Sequence, residues 1–229
     1  MWKQKSVAVC LLALTACASA DPRFTAGLTS FQKSDYESAL NKWRPAAEAG
    51  VRNAQHGLGW LYEKGLGVEQ DYLISASWYI KAAAQGHGGA QLNLGNYYDN
   101  GKGFAKDYKT AAAYFAQAAK NNIAEAQNNL GQMYKSGHGV EQDFEAAATL
   151  FLAAARQNYA PAQNAIGLMY FKGQGIEQDA EQAYFWISLA ALNGQPGTEH
   201  NLTFVASFLE KKQIDKIDDE AAEWHKAQT

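Results

Sequence analysis

One spacing constrains this chain more than any other feature. Ala-Gln recurs at Ala54-Gln55, Ala90-Gln91, Ala126-Gln127 and Ala162-Gln163, 36 residues apart each time. The same register holds Gly59, Gly95, Gly131 and Gly167, then Tyr62, Tyr98, Tyr134 and Tyr170. Gly-x-Gly follows at 65/67, 101/103, 137/139 and 173/175, and then Asp71, Asp107, Asp143 and Asp179. Each unit closes on Ala-Ala, at 82/83, 118/119, 154/155 and 190/191. Units this short bury an apolar face only against their neighbours, so four of them in register predict a stacked array. Twelve of the 20 glycines lie in these columns, so glycine here punctuates an ordered chain.

Each unit reads as two helices. Over residues 53–64, Ala54, Leu58, Leu61 and Tyr62 fall within about 100° of one another on a helical wheel and mark the buried stripe. Gly65 follows where a helix ends in a left-handed residue. Asp71 is placed to cap the second helix, because its carboxylate can accept the free amide protons of that helix's first turn. This helix runs to about residue 85, with Trp78, Tyr79, Ala82 and Ala83 for packing. Gly59 sits inside the first helix, where it costs ~1 kcal/mol relative to Ala. Four such glycines in register predict a close approach by a neighbouring helix.

The array extends at both ends. Asp35 and Ala46-Ala47 lie 36 residues before Asp71 and Ala82-Ala83, so residues 21–52 form an atypical first repeat. Full repeats follow at 53–88, 89–124, 125–160 and 161–196, and residues 197–229 form a closing helix pair. The sum is about twelve helices and no strand.

The pattern A-x-x-x-L-G-x-x-Y-x-x-G-x-G-V-x-x-D appears as Ala54, Leu58, Gly59, Tyr62, Gly65, Gly67, Val68 and Asp71, with three further copies. It resembles the SEL-one-like repeat family, a subclass of the tetratricopeptide superfamily. Departures are small: Ile166 for Leu, Phe104 and Ile176 for Val, and Asn122 and Asn158 where the unit often ends in Gly. The resemblance covers about residues 24–229. It implies an all-α, right-handed superhelical solenoid of antiparallel helix pairs. It also implies an adaptor for protein partners, in bacteria often in the envelope.

The wheel itself marks a candidate binding face opposite the buried stripe of the first helices. Its columns hold His56, Trp60 and Glu63; Leu92, Asn96 and Asp99; Asn128, Gln132 and Lys135; and Asn164, Leu168 and Phe171. Asn93 and Asn129 flank them. Carboxamides donate and accept, which suits the backbone of an extended peptide. Trp60, Leu168 and Phe171 are expected to serve as apolar anchors, since large apolar groups off the core side commonly mark interfaces. The expectation is a groove that takes a protein or peptide partner.

The first 20 residues read as an export signal. Lys3 and Lys5 precede an apolar run from Ser6 to Ala16, too short for the ~20 residues that span a bilayer. Two cleavage readings stay open. Ala18-Ser19-Ala20 is a small-x-small site that would release a chain starting at Asp21. Leu14-Thr15-Ala16-Cys17 resembles a bacterial lipobox, in which Cys17 carries a lipid anchor. Either reading exports the protein to the periplasm, the second as an anchored lipoprotein, with no transmembrane span after processing.

Other chemistries find little to work with. Beyond residue 20 the chain has 18 basic and 23 acidic residues, a balance that does not favour nucleic acid. Both cysteines lie in the first 20 residues, so the body offers no thiol or Cys-based metal site, and no cofactor is expected. His56, His87, His138, His200 and His225 include no i, i+4 pair. Ser30-Phe31-Gln32-Lys33 and Lys135-Ser136-Gly137 resemble motifs of active-site-serine penicillin-recognising enzymes. Those motifs belong to a mixed sheet-and-helix fold, and the second lies in a repeat column at a helix end. The family resemblance itself implies a second reading, behind a non-catalytic scaffold: a β-lactam-binding or hydrolysing activity, as linked to a cysteine-rich bacterial branch of the family, although that branch relies on paired cysteines and this body has none.

Overall fold

A computed structural model describes residues 21–228. The described residues form twelve helices and no strand. They are α1 (Pro22–Gln32), α2 (Tyr36–Glu48), α3 (Arg52–Lys64), α4 (Tyr72–Ala84), α5 (Gly88–Asn100) and α6 (Tyr108–Lys120). There follow α7 (Ala124–Ser136), α8 (Phe144–Ala155), α9 (Ala160–Lys172), α10 (Ala180–Leu192), α11 (Thr198–Ala206) and α12 (Lys211–Gln228). The expected signal and Cys17 lie outside the described residues. The chain forms two compact units, one ending at Ala118 and the other beginning at Ala119.

Local chemistry sets the helix ends. Asp35, Asp71, Asp143 and Asp179 each cap a second helix by accepting backbone N–H bonds, and Asp107 does the same from Thr110. The first helices α3, α5, α7 and α9 stop at Gly65, Gly101, Gly137 and Gly173, all left-handed. At Gly65, φ is 65°, a conformation that a side chain would strain. The second helices end 36 residues apart at Gly50, Gly86, Asn122, Asn158 and Gly194, all with positive φ. Asn is the residue that best replaces Gly there, because its short polar side chain tolerates the left-handed region.

In the first unit, the core runs through Phe24, Phe31, Leu40, Trp43, Leu58, Leu61, Tyr79 and Leu94. Trp43 is fully buried, and its indole N–H donates to the Phe24 carbonyl at 3.0 Å. The in-helix glycines are the points of closest approach. A Cβ on Gly59 would stand 2.6 Å from the Tyr79 ring, and one on Gly95 would stand 2.5 Å from Phe115. In the second unit, Phe151, Ile166, Met169, Trp186 and Leu189 fill one cluster, and Ile187, Val205 and Ile217 fill another. There a Cβ on Gly167 would stand 2.6 Å from Ile187 and 2.9 Å from the Ala183 carbonyl oxygen.

The Ala-Gln column now has a physical role. Gln55, Gln91 and Gln163 donate from Nε2 to the carbonyls of Ala47, Ala83 and Ala155, at 3.0, 3.3 and 3.2 Å. Each also bonds a carboxamide at or near the end of the following second helix; for Gln91 the same Nε2 donates to Gln117, at 3.3 Å. Gln85 donates to Gln55 at 2.7 Å, and Asn193 donates to Gln163 at 2.9 Å. In α3, α5 and α9 the glutamine therefore ties the first helix to the helix before it and to the end of the helix after it. These side chains are buried, so their amide groups need those partners. The preceding alanine is fully buried at 54, 90, 126 and 162, which leaves room for the seam.

Candidate protein-binding face

The first-helix columns do not form the uniformly open face that the wheel suggests. In α3, His56, Trp60 and Glu63 are all buried. Trp60 belongs to the first unit's core, with its ring set edge-on against Phe31 of α1 at 5.2 Å. His56 stacks on His87 at 4.3 Å and leans on Tyr79 at 5.5 Å. Glu63 accepts from the Tyr79 hydroxyl and from Lys64, both at 2.8 Å. The anchor role expected for Trp60 and the groove position expected for His56 are therefore corrected. Neighbouring helices cover both side chains, which leaves no open face for a partner to touch.

The His56–His87 stack has its own electrostatics. Burial holds His56 well below the usual imidazole value, and the charge of His87 acts in the same direction. Burial, with Arg52 nearby, takes His87 down to about 4. The neutral His87 ring caps α5, with Nδ1 accepting from the Ala90 N–H at 3.1 Å. Asn93 lies 3.3 Å from His56 Nε2, and His56 Nδ1 is buried without a hydrogen-bond partner. These histidines stand far apart in the sequence, and only their packing makes them a pair.

The remaining columns stay partly open. On α5, Leu92, Asn93, Asn96 and Asp99 are half-buried. On α7, Asn128 is buried and donates to Asn129 Oδ1 at 3.3 Å, so it too leaves the expected groove lining. Asn129 and Lys135 are half-buried, and Gln132 is exposed. On α9, Asn164 accepts from Asn201 of α11 at 3.0 Å. Leu168 and Phe171 are half-buried against the cluster that holds Val205 and Ile217. Phe171 therefore packs within the second unit, yet its ring also meets Phe204 and Phe208 at 5.2 and 5.1 Å, and those two are exposed.

The serine-enzyme fragments have ordinary places. Ser30 is buried, and the lysine that reaches its Oγ, at 2.8 Å, is Lys42 of α2 and not Lys33 of the same fragment. Ser136 Oγ donates to the Gln132 carbonyl at 2.8 Å, within the last turn of α7. Among the described residues, no three His, Cys, Asp or Glu side chains are grouped to hold a metal ion. No described helix is long and apolar enough to cross a membrane.

Comparison with known proteins agrees with this architecture. The family pattern described as the Sel1 repeat matches residues 52–87, 89–123, 124–159 and 160–195. The fold is similar to that of a protective antigen from uropathogenic Escherichia coli that displays an SLR fold. That chain shares 32% identity and a TM-score of 0.80; the match covers 89% of this chain and 45% of that one. The present chain thus spans less than half the length of that relative. It is also similar to a Sel1 repeat protein from Oxalobacter formigenes, at 30% identity and a TM-score of 0.75, covering 90% of this chain and 84% of that one. No curated protein matches the chain.

Proposed function

We propose, from the premise that this chain belongs to the Sel1 repeat family, that it is a non-catalytic scaffold holding a segment of another protein against its first helices. Sel1 repeat proteins are generally protein-interaction scaffolds, and the fold is typically non-catalytic. The observation that carries the reading is the contrast between helix faces. Buried Gln and Ala columns hold the helices together, whereas Asn93, Asn96, Asn129 and Gln132 keep carboxamides on partly open first-helix faces. A peptide backbone presents alternating donors and acceptors, which carboxamides match in either direction.

The scaffold acts in the bacterial envelope, exported by the first 20 residues and either released at Asp21 or held by a lipid on Cys17. The protective-antigen character of the Escherichia coli relative fits an exported protein.

The test uses the paired variant Asn129→Ala, Gln132→Ala. Capture of partners from envelope extract should fall several-fold, while helical content and melting temperature stay close to wild type. Unchanged capture by the paired variant would count against the first-helix face.

A further inference from the structure

Three phenylalanines meet at one place in the second unit. Phe171 of α9 contacts Phe204 of α11 and Phe208 just after it, and those two contact each other at 5.4 Å, all edge to face. Phe204 is 51% exposed and Phe208 60%. Phe204 and Phe208 are four residues apart, so a single turn of chain places both rings on one side. A cluster of this kind leaves apolar area in water that a partner's ring could cover in the same edge-to-face manner.

One cation adjoins it in sequence, and a second lies within that one's electrostatic reach. Lys172 directly follows Phe171, and Lys135 holds on α7 the repeat position that Phe171 holds on α9. Lys135 is half-buried, and the charge of Lys172 reaches it, since burial first and that charge second lower its pKa. Among the described residues neither lysine has a carboxylate at ion-pairing distance. The nearest acid along the chain from Phe208 is Glu210, at the approach to α12. Two ammonium groups without a carboxylate at ion-pairing distance, one of them next in sequence to Phe171, stand out in a chain that is otherwise net acidic.

We infer that the α7–α9–α11 face of the second unit docks a polypeptide segment that carries an aromatic side chain with acidic residues close to it in sequence. This rests on the scaffold reading and specifies its partner. The aromatic ring would enter the Phe171–Phe204–Phe208 cluster, and the carboxylates would face Lys135 and Lys172. Other occupants fit less well. The chain's own first 20 residues are apolar but carry Lys3 and Lys5 and no acid, so they would meet like charge. A second copy docked about a two-fold axis would set the same lysines against each other.

The experiment selects random peptides displayed on phage against the purified mature protein, then measures the synthesised consensus peptide by fluorescence anisotropy. Enriched peptides should pair Trp, Phe or Tyr with Asp or Glu within a few residues. Phe204→Ala with Phe208→Ala should weaken the consensus peptide at least about tenfold, with circular dichroism unchanged because both rings are exposed. Lys135→Gln with Lys172→Gln should weaken it about threefold at low salt and remove most of the salt dependence. The inference is overturned by peptides that lack acid or aromatic residues, by no enrichment, or by wild-type binding in either double variant. Self-association that Phe208→Ala abolishes would overturn it too, by showing that a second copy is the occupant. A partner that is recovered equally by the phenylalanine variant ends this inference and leaves the scaffold intact. Failure of the scaffold reading would show instead as no partner recovered by the wild type.

Discussion

The two units carry the same columns and use them differently. Trp60, Asn96, Gln132 and Leu168 hold one repeat position. In the first unit Trp60 is buried under Phe31, whereas in the second unit Gln132 is exposed and Leu168 is half-buried. The seams differ as well. In the first unit, Gln55 and Gln85 bond each other beside a plain glycine turn at Gly86. In the second, Asn158 takes that turn and its Oδ1 accepts from both Gln163 and Asn193, at 3.2 and 2.6 Å. Asn122 likewise accepts from Gln127 and Gln157, both at 3.2 Å. A repeat position therefore fixes the backbone, while exposure and hydrogen bonding depend on which neighbour covers it.

Substitution within that single column should break the comparison most sharply. Trp60→Ala empties a filled site and should cost roughly 3–5 kcal/mol in urea unfolding. Gln132→Ala should stay within about 0.5 kcal/mol, as surface changes do. Equal effects would show that the column, not the cover, decides.

The next effect belongs to the first unit and depends on pH. His56 and His87 are held neutral in the folded chain, and an unfolded histidine takes a proton near 6.5. Below that value the unfolded state binds more protons, so acid favours unfolding. Stability should be full above about pH 7 and should decline as pH falls towards the His87 value of about 4. His87 alone contributes a loss on the order of 3 kcal/mol across that window. His87→Asn can still cap α5 and should flatten the decline in urea titrations at pH 7 and pH 5. A decline of the same size in the variant would remove the histidine pair from the explanation.

Particular residues show what a sequence of this kind reveals and what it hides. Asp71, Gly65 and Gly59 announced a cap, a stop and a close approach, because each is a local backbone requirement written in one residue type. Gln55 and its repeats were visible as a column, but the seam was not, because its partners lie on two other helices. The burial of Trp60 and His56 was hidden for a related reason. The wheel knows only its own helix, and the covering groups, Phe31 and His87, come from α1 and the α4–α5 turn. Phe171 reads as an anchor from its repeat column, whereas Phe204 and Phe208 carry no such signal because α11 lies outside the repeat register.

Smaller effects sharpen the contrast further. Gly167→Ala should cost about 2 kcal/mol, because the added Cβ meets the Ala183 carbonyl oxygen, which cannot turn aside. Gly131→Ala should cost less, about 1 kcal/mol or under, because its Cβ meets only the Phe151 ring, at 2.9 Å, and the helix gains Ala propensity. Calorimetry that ranks them the other way would refute the close-approach account. Asn158→Gly keeps the left-handed turn and loses one acceptor, so it should cost about 1 kcal/mol. Gly86→Asn should be neutral or slightly stabilising if the seam accepts it.

The scaffold claim itself is tested most directly by placing a photo-crosslinking amino acid in living cells at Gln132 on α7 and, separately, at Thr149 on α8, which is also exposed. Adducts to a defined envelope protein from position 132, with few or none from position 149, are the expected result. Equal labelling at both positions, or labelling from 149 alone, would contradict the assignment of partner binding to the first helices.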